Sequence, residues 1–274
     1  MDGTKRRLAV LLVLLLLSIV VVTATAEEKY DYSGETLKYQ FGWKGFIAAE
    51  MVVSIVETDF KGVKSYKTVM DIKSLPKLDW IWKVRDKMTV YSDKKTLLPE
   101  YYKFKQREGK FSLDTEIEHD RVDKVLRSNR TRHENGKDKQ YKRKWVSSGA
   151  TYDPVSALLF LRDQDIQVGK VYTAKVFDGR RSHEISYTIE AKEIIDTALG
   201  KFETFRVTPR LVRSDDKPDS EDKTEKVRTV TTWVTTSPDH TVVLVKSKIF
   251  VGSVYAELID YSGPMLKTID QARK

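Results

Sequence analysis

The 274 residues include no cysteine, four histidines, and 49 Lys and Arg against 40 Asp and Glu, a net charge of +9. Without cysteine there is no disulfide scaffold, no thiolate nucleophile and no thiol to carry a lipid, so the fold must be held by its apolar core. The charge is local, because residues 121–144 alone carry ten Lys and Arg against three Asp and Glu. That distribution argues against a general nucleic-acid binder and for one basic ribbon.

Lys5, Arg6 and Arg7 precede an apolar run, Leu8 to Val22, broken only by Ser18, and Ala24-Thr25-Ala26 then offers small residues before Glu27. The pattern predicts a signal peptide over residues 1–26 and an exported, periplasmic chain, with an uncleaved N-terminal anchor as the alternative. A β-barrel-like domain is expected over residues 27–264 and a C-terminal tail over 265–274, and a chain of that size can form one large domain.

Beyond that segment, period-two alternation dominates. Glu35 to Gly42 sets Leu37, Tyr39 and Phe41 against Lys38 and Gln40, a half-buried strand. Phe46 to Glu57 is apolar on both faces, which predicts a strand covered on both sides. Tyr66 to Ser74 follows a Lys61-Gly62 turn, and LPKLDWIWKVRD reads as a helical turn or bend. Further strands are expected over Arg85–Ser92, Tyr101–Arg107, Phe111–His119, Val122–Thr131 and Lys139–Val146.

Tyr152 to Arg162 breaks the pattern. Asp153 is a good N-cap, Pro154 suits the first helical position, and the residues after it are apolar nearly all round. A short rod of this kind needs apolar walls on several sides. After it come Val171–Phe177, His183–Ala191, Ile194–Ala198 and Phe202–Val212, then a charged loop, Ser214 to Lys226, and closing strands Val227–Thr235, Val242–Val251 and Val254–Tyr261. Asn135-Gly136, Asp178-Gly179 and Gly200-Lys201 have the chemistry of two-residue hairpin turns. About a dozen strands joined by hairpins predict a mainly β fold: one antiparallel meander curled into a barrel or half-barrel around one short buried helix.

The order YQFGWKGFIAAEMVV, WKVRDKMTVYSD, LLPEYY, DPVSALLFLR, LGKFETFRVTP and TWV…VVLVKSKIFVGSVYAELI resembles the bacterial family called domain of unknown function 3108 (DUF3108), across nearly all of Glu35 to Tyr261. The resemblance implies an exported β-rich protein and implies no activity.

Candidate chemistry is sparse. Ser182 and His183 are strand neighbours pointing to opposite faces and cannot form a dyad with each other. Asp114, Glu116, Glu118 and Asp120 share a strand face, but Lys103, Lys105 and Arg107 line the preceding strand, so cross-strand ion pairs account for both rows and no metal site is expected. Glu50 is expected at the rim or beside a basic neighbour. Arg85 and Asp86 face opposite ways, and one of them is expected to meet Asp153 or Arg162 inside, since a buried charge needs a partner. Asp153, Pro154 and Arg162 are structural candidates.

Tyr39, Phe41, Trp43, Trp80 and Trp82, with Arg85, are the candidate ligand-binding set, because a barrel of this strand count has room for an apolar guest. Lys142, Arg143 and Lys144 are the candidate contact to an anionic surface or headgroup. The expected function is non-catalytic, with no cofactor, no metal and no nucleic acid: binding of an amphipathic or lipid-like envelope ligand, or of the membrane surface. The alternatives are a structural or protein-interaction module of the envelope, and a cell-wall or polysaccharide enzyme.

Overall fold

The computed structural model describes residues 30–43, 45–134, 136–213, 230–248, 253–264 and 269–273. The expected signal peptide and the charged loop Ser214–Lys226 lie outside the described residues. The strands are β1 (Thr36–Trp43), β2 (Phe46–Phe60), β3 (Val63–Ser74), β4 (Arg85–Asp93), β5 (Pro99–Glu108), β6 (Phe111–Asp120), β7 (Val125–Glu134) and β8 (Lys137–Val146). They continue as β9 (Thr151–Tyr152), β10 (Val171–Phe177), β11 (Ser182–Thr197), β12 (Gly200–Arg213), β13 (Val230–Thr235), β14 (Val242–Lys248) and β15 (Ser253–Ser262). Between β3 and β4 the chain forms a 3₁₀ turn (Pro76–Leu78) and helix α1 (Asp79–Trp82), and α2 (Ser156–Arg162) separates β9 from β10.

All these strands form one sheet in the order β8-β7-β6-β5-β4-β3-β2-β1-β15-β14-β13-β12-β11-β10-β9. Each half is a meander, and the antiparallel β1–β15 pair joins the halves. The two-residue β9 runs parallel to β10, and β8 and β9 are the sheet's free ends, so it curls without closing. Bulges after Lys38, Phe41, Tyr91, Ile189 and Trp233 add the local twist that such curling requires.

The alternation read from the sequence sets the inner face. Leu37, Tyr39, Val53, Ile55, Val90, Tyr102, Ile117 and Leu126 are buried there. The expected cover on both faces of β2 is corrected: Val52 and Val56 point outward and stay 40% and 47% exposed. Ile194–Ala198 is not a separate strand, because the bulge between Ile189 and Ala191 absorbs the odd residue and β11 runs through to Thr197. The two-residue turn that follows is Ala198-Leu199, with Thr197 paired to Gly200, and the Asp178 turn is a four-residue loop, Asp178–Arg181. β7 begins at Val125 rather than Val122, since residues 121–124 form the turn from β6.

The helix lies inside. Asp153 Oδ1 accepts from the Val155 and Ser156 backbone N–H groups at 2.7 and 3.1 Å, and the Ala157 N–H donates to the Asp153 carbonyl at 3.0 Å, so Asp153 caps the first turn although regular helix begins at Ser156. Val155 belongs to one apolar cluster, Ala157 and Leu159 to a second and Leu161 to a third. This seven-residue helix therefore fills the curled sheet as a plug. Truncating Leu161, 1% exposed, to alanine is expected to cost about 2–5 kcal/mol, measured as a shift in the urea midpoint.

Arg162 ends the helix and is 4% exposed. Its guanidinium grips Glu35 through two hydrogen bonds of 2.8 and 2.9 Å, gives Nε to the Asp239 carbonyl at 3.0 Å and lies 4.7 Å from the Tyr32 ring centroid. The pairing expected between Arg85 or Asp86 and the helix is thus corrected. Arg85 faces outward, and the buried Asp86 instead accepts the Arg107 backbone N–H at 2.6 Å. In the expected tail, a second 3₁₀ turn (Ile269–Ala272) buries Ile269 and Ala272 in the largest cluster.

Candidate functional site

Hairpin geometry brings several exposed apolar side chains to one end of the sheet. The tip of β1–β2 carries Trp43, Phe46 and Ile47. The β3–β4 connection beside it is tied on by a hydrogen bond from the Leu75 N–H to the Ala48 carbonyl at 2.9 Å. Pro76 opens that connection, and Asp79 organises it: one carboxylate oxygen accepts from Ser74 Oγ at 2.5 Å and the other from Arg85 Nη2 at 2.5 Å. These bonds, the Ser74 hydroxyl first and Arg85 next, hold the Asp79 carboxyl below the usual range. On the far side, the Gly109 N–H donates to the Lys83 carbonyl at 2.7 Å. Gly109 sits at φ +57°, and a Cβ there would stand 3.3 Å from Trp82 Cδ1, so the β5–β6 turn packs under Trp82.

With Asp79 bonded to Ser74 and Arg85, the connection leaves Trp80, Ile81 and Trp82 exposed (83%, 64% and 57%), at the same end of the sheet as Phe46 at 74%. Exposed Lys77, Lys83 and Lys110 stand on the same connections and make no ion pair among the described residues. Below them, a cleft of about 490 Å³ on the outer face is lined by residues that include Glu50, Val52, Asp71, Lys73, Pro76 and Arg85. Glu50 pairs there with Lys38 at 3.5 Å.

The candidate ligand set therefore divides. Tyr39 is a core residue whose hydroxyl donates to the Val242 carbonyl at 2.8 Å. Phe41 is half-buried, while Trp43, Trp80 and Trp82 stand on the rim and Arg85 braces it from below. They do not line one interior cavity. Sequence reasoning missed Phe46, Ile47 and Ile81. The available signal was three large apolar residues, Trp80-Ile81-Trp82, in a short Pro-initiated connection that shows neither strand alternation nor a helical stripe.

The basic candidates also divide. On β8, Lys142 and Lys144 face outward opposite Asn129 and Arg127, beside an outer cleft of about 580 Å³, whereas Arg143 faces inward opposite Ser128. A strand alternates its side chains, so the three cannot form one contact surface. Across β5–β6 the expected ion pairs are present, Lys103 to Glu116 at 2.5 Å and Arg107 to Asp114 at 2.6 Å.

A curled, open antiparallel half-barrel plugged by a helix and bearing an aromatic rim defines the class of protein. Residues 38–259 match the model of the protein family of unknown function DUF3108, and the chain belongs to that family. It is similar over 85% of its length, and 98% of the other chain, to the crystal structure of a β-barrel-like protein of domain of unknown function DUF1849 from Brucella abortus, with a TM-score of 0.52 at 10% identity. A provisionally assigned lipoprotein from Parabacteroides distasonis matches more loosely, over 84% of this chain and 95% of that one, with a TM-score of 0.36 at 11% identity. None of the curated proteins matches the chain.

Proposed function

We propose that this chain is an exported, non-catalytic envelope protein that docks on a lipid membrane surface through its aromatic rim. The observation that carries the reading is the exposed Trp80-Ile81-Trp82 run, at the same end of the sheet as exposed Phe46 and held by a bonded connection. Contiguous exposed apolar groups mark an interaction surface. Tryptophans with lysines around them suit the headgroup boundary, where aromatic bodies enter the acyl edge while ammonium groups stay wet. At about 1.5–3 kcal/mol per large side chain removed from water, four such residues outweigh part of the cost of association. The helix packs into three apolar clusters of the inner face, which favours surface docking over carriage of a guest inside.

Co-sedimentation with vesicles of phosphatidylcholine mixed with phosphatidylglycerol tests this. The combined change Trp80→Ser, Ile81→Ser and Trp82→Ser is expected to weaken binding at least about tenfold while leaving circular dichroism unchanged. Equal binding by the variant, or no binding by the unaltered chain, would overturn the reading.

The interaction-module alternative has one observation behind it: β8 is an edge strand, paired on one side only, whose side chains, Trp145 apart, are exposed. Its lysines are the usual guard against strand addition, so this reading stands second.

A further inference from the structure

The open seam holds a second feature, independent of the rim. On the inner face of β7 and β8, Arg130 lies opposite Tyr141 and Ser128 opposite Arg143. Arg130 and Arg143 are thus diagonal neighbours on one face, with backbones roughly 7–8 Å apart, within reach of long side chains. The β10–β11 loop folds onto that face. Ser128 Oγ donates to the Gly179 carbonyl at 2.6 Å, and Arg143 Nη1 donates to the Arg180 carbonyl at 2.9 Å. Gly179 fits because it has no side chain: at φ +86°, a Cβ would stand 2.7 Å from Thr115 Cγ2. Three arginines from separate elements therefore gather where the sheet fails to close.

The charge there is only partly compensated. Asp178 is the nearby carboxylate, and its oxygens are already committed: Oδ1 accepts from the Arg180 and Arg181 backbone N–H groups at 2.7 and 2.6 Å, and Oδ2 meets His183 Nε2 at 3.0 Å. It shapes the loop rather than clamping a guanidinium. Arg130 Nε is buried and has no hydrogen-bond partner. A buried donor on a cation is costly to leave unpaired. Burial lowers the Arg130 pKa; the Asp178 carboxylate offsets part of this, and Arg180 and Arg143 add like charge, so the net direction is the one that a bound anion would reverse.

We propose that Arg130, Arg143 and Arg180 form a site for a phosphate group, free or carried as a phosphate ester, at the seam between β7–β8 and the β10–β11 loop. Guanidinium groups suit this ligand because each can offer paired N–H donors to a tetrahedral oxyanion. The site does not depend on the rim: a chain that ignores vesicles could still bind phosphate here, and the converse holds.

Isothermal titration of the full chain tests the site, with inorganic phosphate as one probe and soluble dihexanoyl phosphatidylglycerol as the other. Saturable binding of either supports the proposal, tighter binding of the lipid identifies a headgroup, and tighter binding of phosphate identifies the free anion. Arg130→Gln is expected to weaken binding at least about tenfold. Arg180→Gln, on the exposed loop, is expected to act in the same direction and serves if the first variant does not fold. Lys142→Gln with Lys144→Gln removes charge from the outer face of the same strand and is expected to change affinity less than about twofold. Binding of neither probe, or equal losses from the inner and outer variants, would overturn the proposal.

Discussion

Replacing Glu35 with alanine is expected to destabilise the fold by about 3–5 kcal/mol, the cost of stranding a buried guanidinium. Glu35 is 1% exposed and meets Arg162 through two parallel hydrogen bonds. Burial works against the charge on Arg162, and Glu35 more than offsets it, so the guanidinium stays protonated. The pair also joins distant parts of the chain, because Glu35 precedes β1, Arg162 ends the plug helix and the Asp239 carbonyl sits in the β13–β14 turn. Losing one partner unties all three. The double change Glu35→Leu with Arg162→Met removes both charges together and is expected to recover most of the loss, since well-packed apolar replacements of buried pairs are often neutral. Urea unfolding of the two variants and the unaltered chain measures both effects. A cost under about 1 kcal/mol for Glu35→Ala would mean that the pair is hydrated.

Acid is expected to unfold the chain from an unusually high pH, and His119 is the reason. Its imidazole is sheltered on β6 opposite the buried Leu126, Nε2 has no partner, and burial, with a smaller contribution from Arg121, pushes its pKa down to about 3. The folded form therefore holds His119 neutral while the unfolded chain takes a proton near pH 6.5. Stability is complete above that value and declines as pH falls towards about 3, by on the order of 5 kcal/mol at 1.36 kcal/mol per pKa unit. His240, also lowered by burial, adds to the same window. Carboxylates such as Asp178, held down at about 2, lose their contribution only below the ordinary carboxylate range. Urea midpoints at pH 7 and near pH 5 separate the two groups. His119→Gln is expected to flatten the dependence in that interval, and an unchanged slope would contradict the assignment.

Much of the fold was legible because its signals are local. Leu37 and Tyr39 against Lys38 and Gln40 define a half-buried strand within one short stretch, and Asp153-Pro154 marks a helix start without knowledge of the surroundings. What escaped was non-local. Nothing near Arg162 shows that its partner is Glu35, 127 residues earlier, so nearer charges such as Arg85 and Asp86 were the natural candidates. Glu190 is an ordinary strand residue in sequence, yet the bulge beside it lets β11 continue past Ala191. The rim escaped for a related reason: large apolar residues such as Trp80 and Trp82 are ordinarily buried, so they were placed beside an interior guest. Their exposure follows from the Asp79–Ser74–Arg85 bonding that turns them outward, which hydrophobicity does not encode.

The most direct measurement on the membrane-docking claim is quenching of rim fluorescence by lipids brominated along their acyl chains. It uses a chain in which Trp43, Trp145 and Trp233 are changed to Phe, so that emission comes from Trp80 and Trp82 alone. A blue shift on adding vesicles, with strongest quenching by bromines nearest the headgroups, is expected. Emission that neither shifts nor quenches, under conditions where the chain sediments with the vesicles, would place the contact elsewhere on the molecule and contradict the claim.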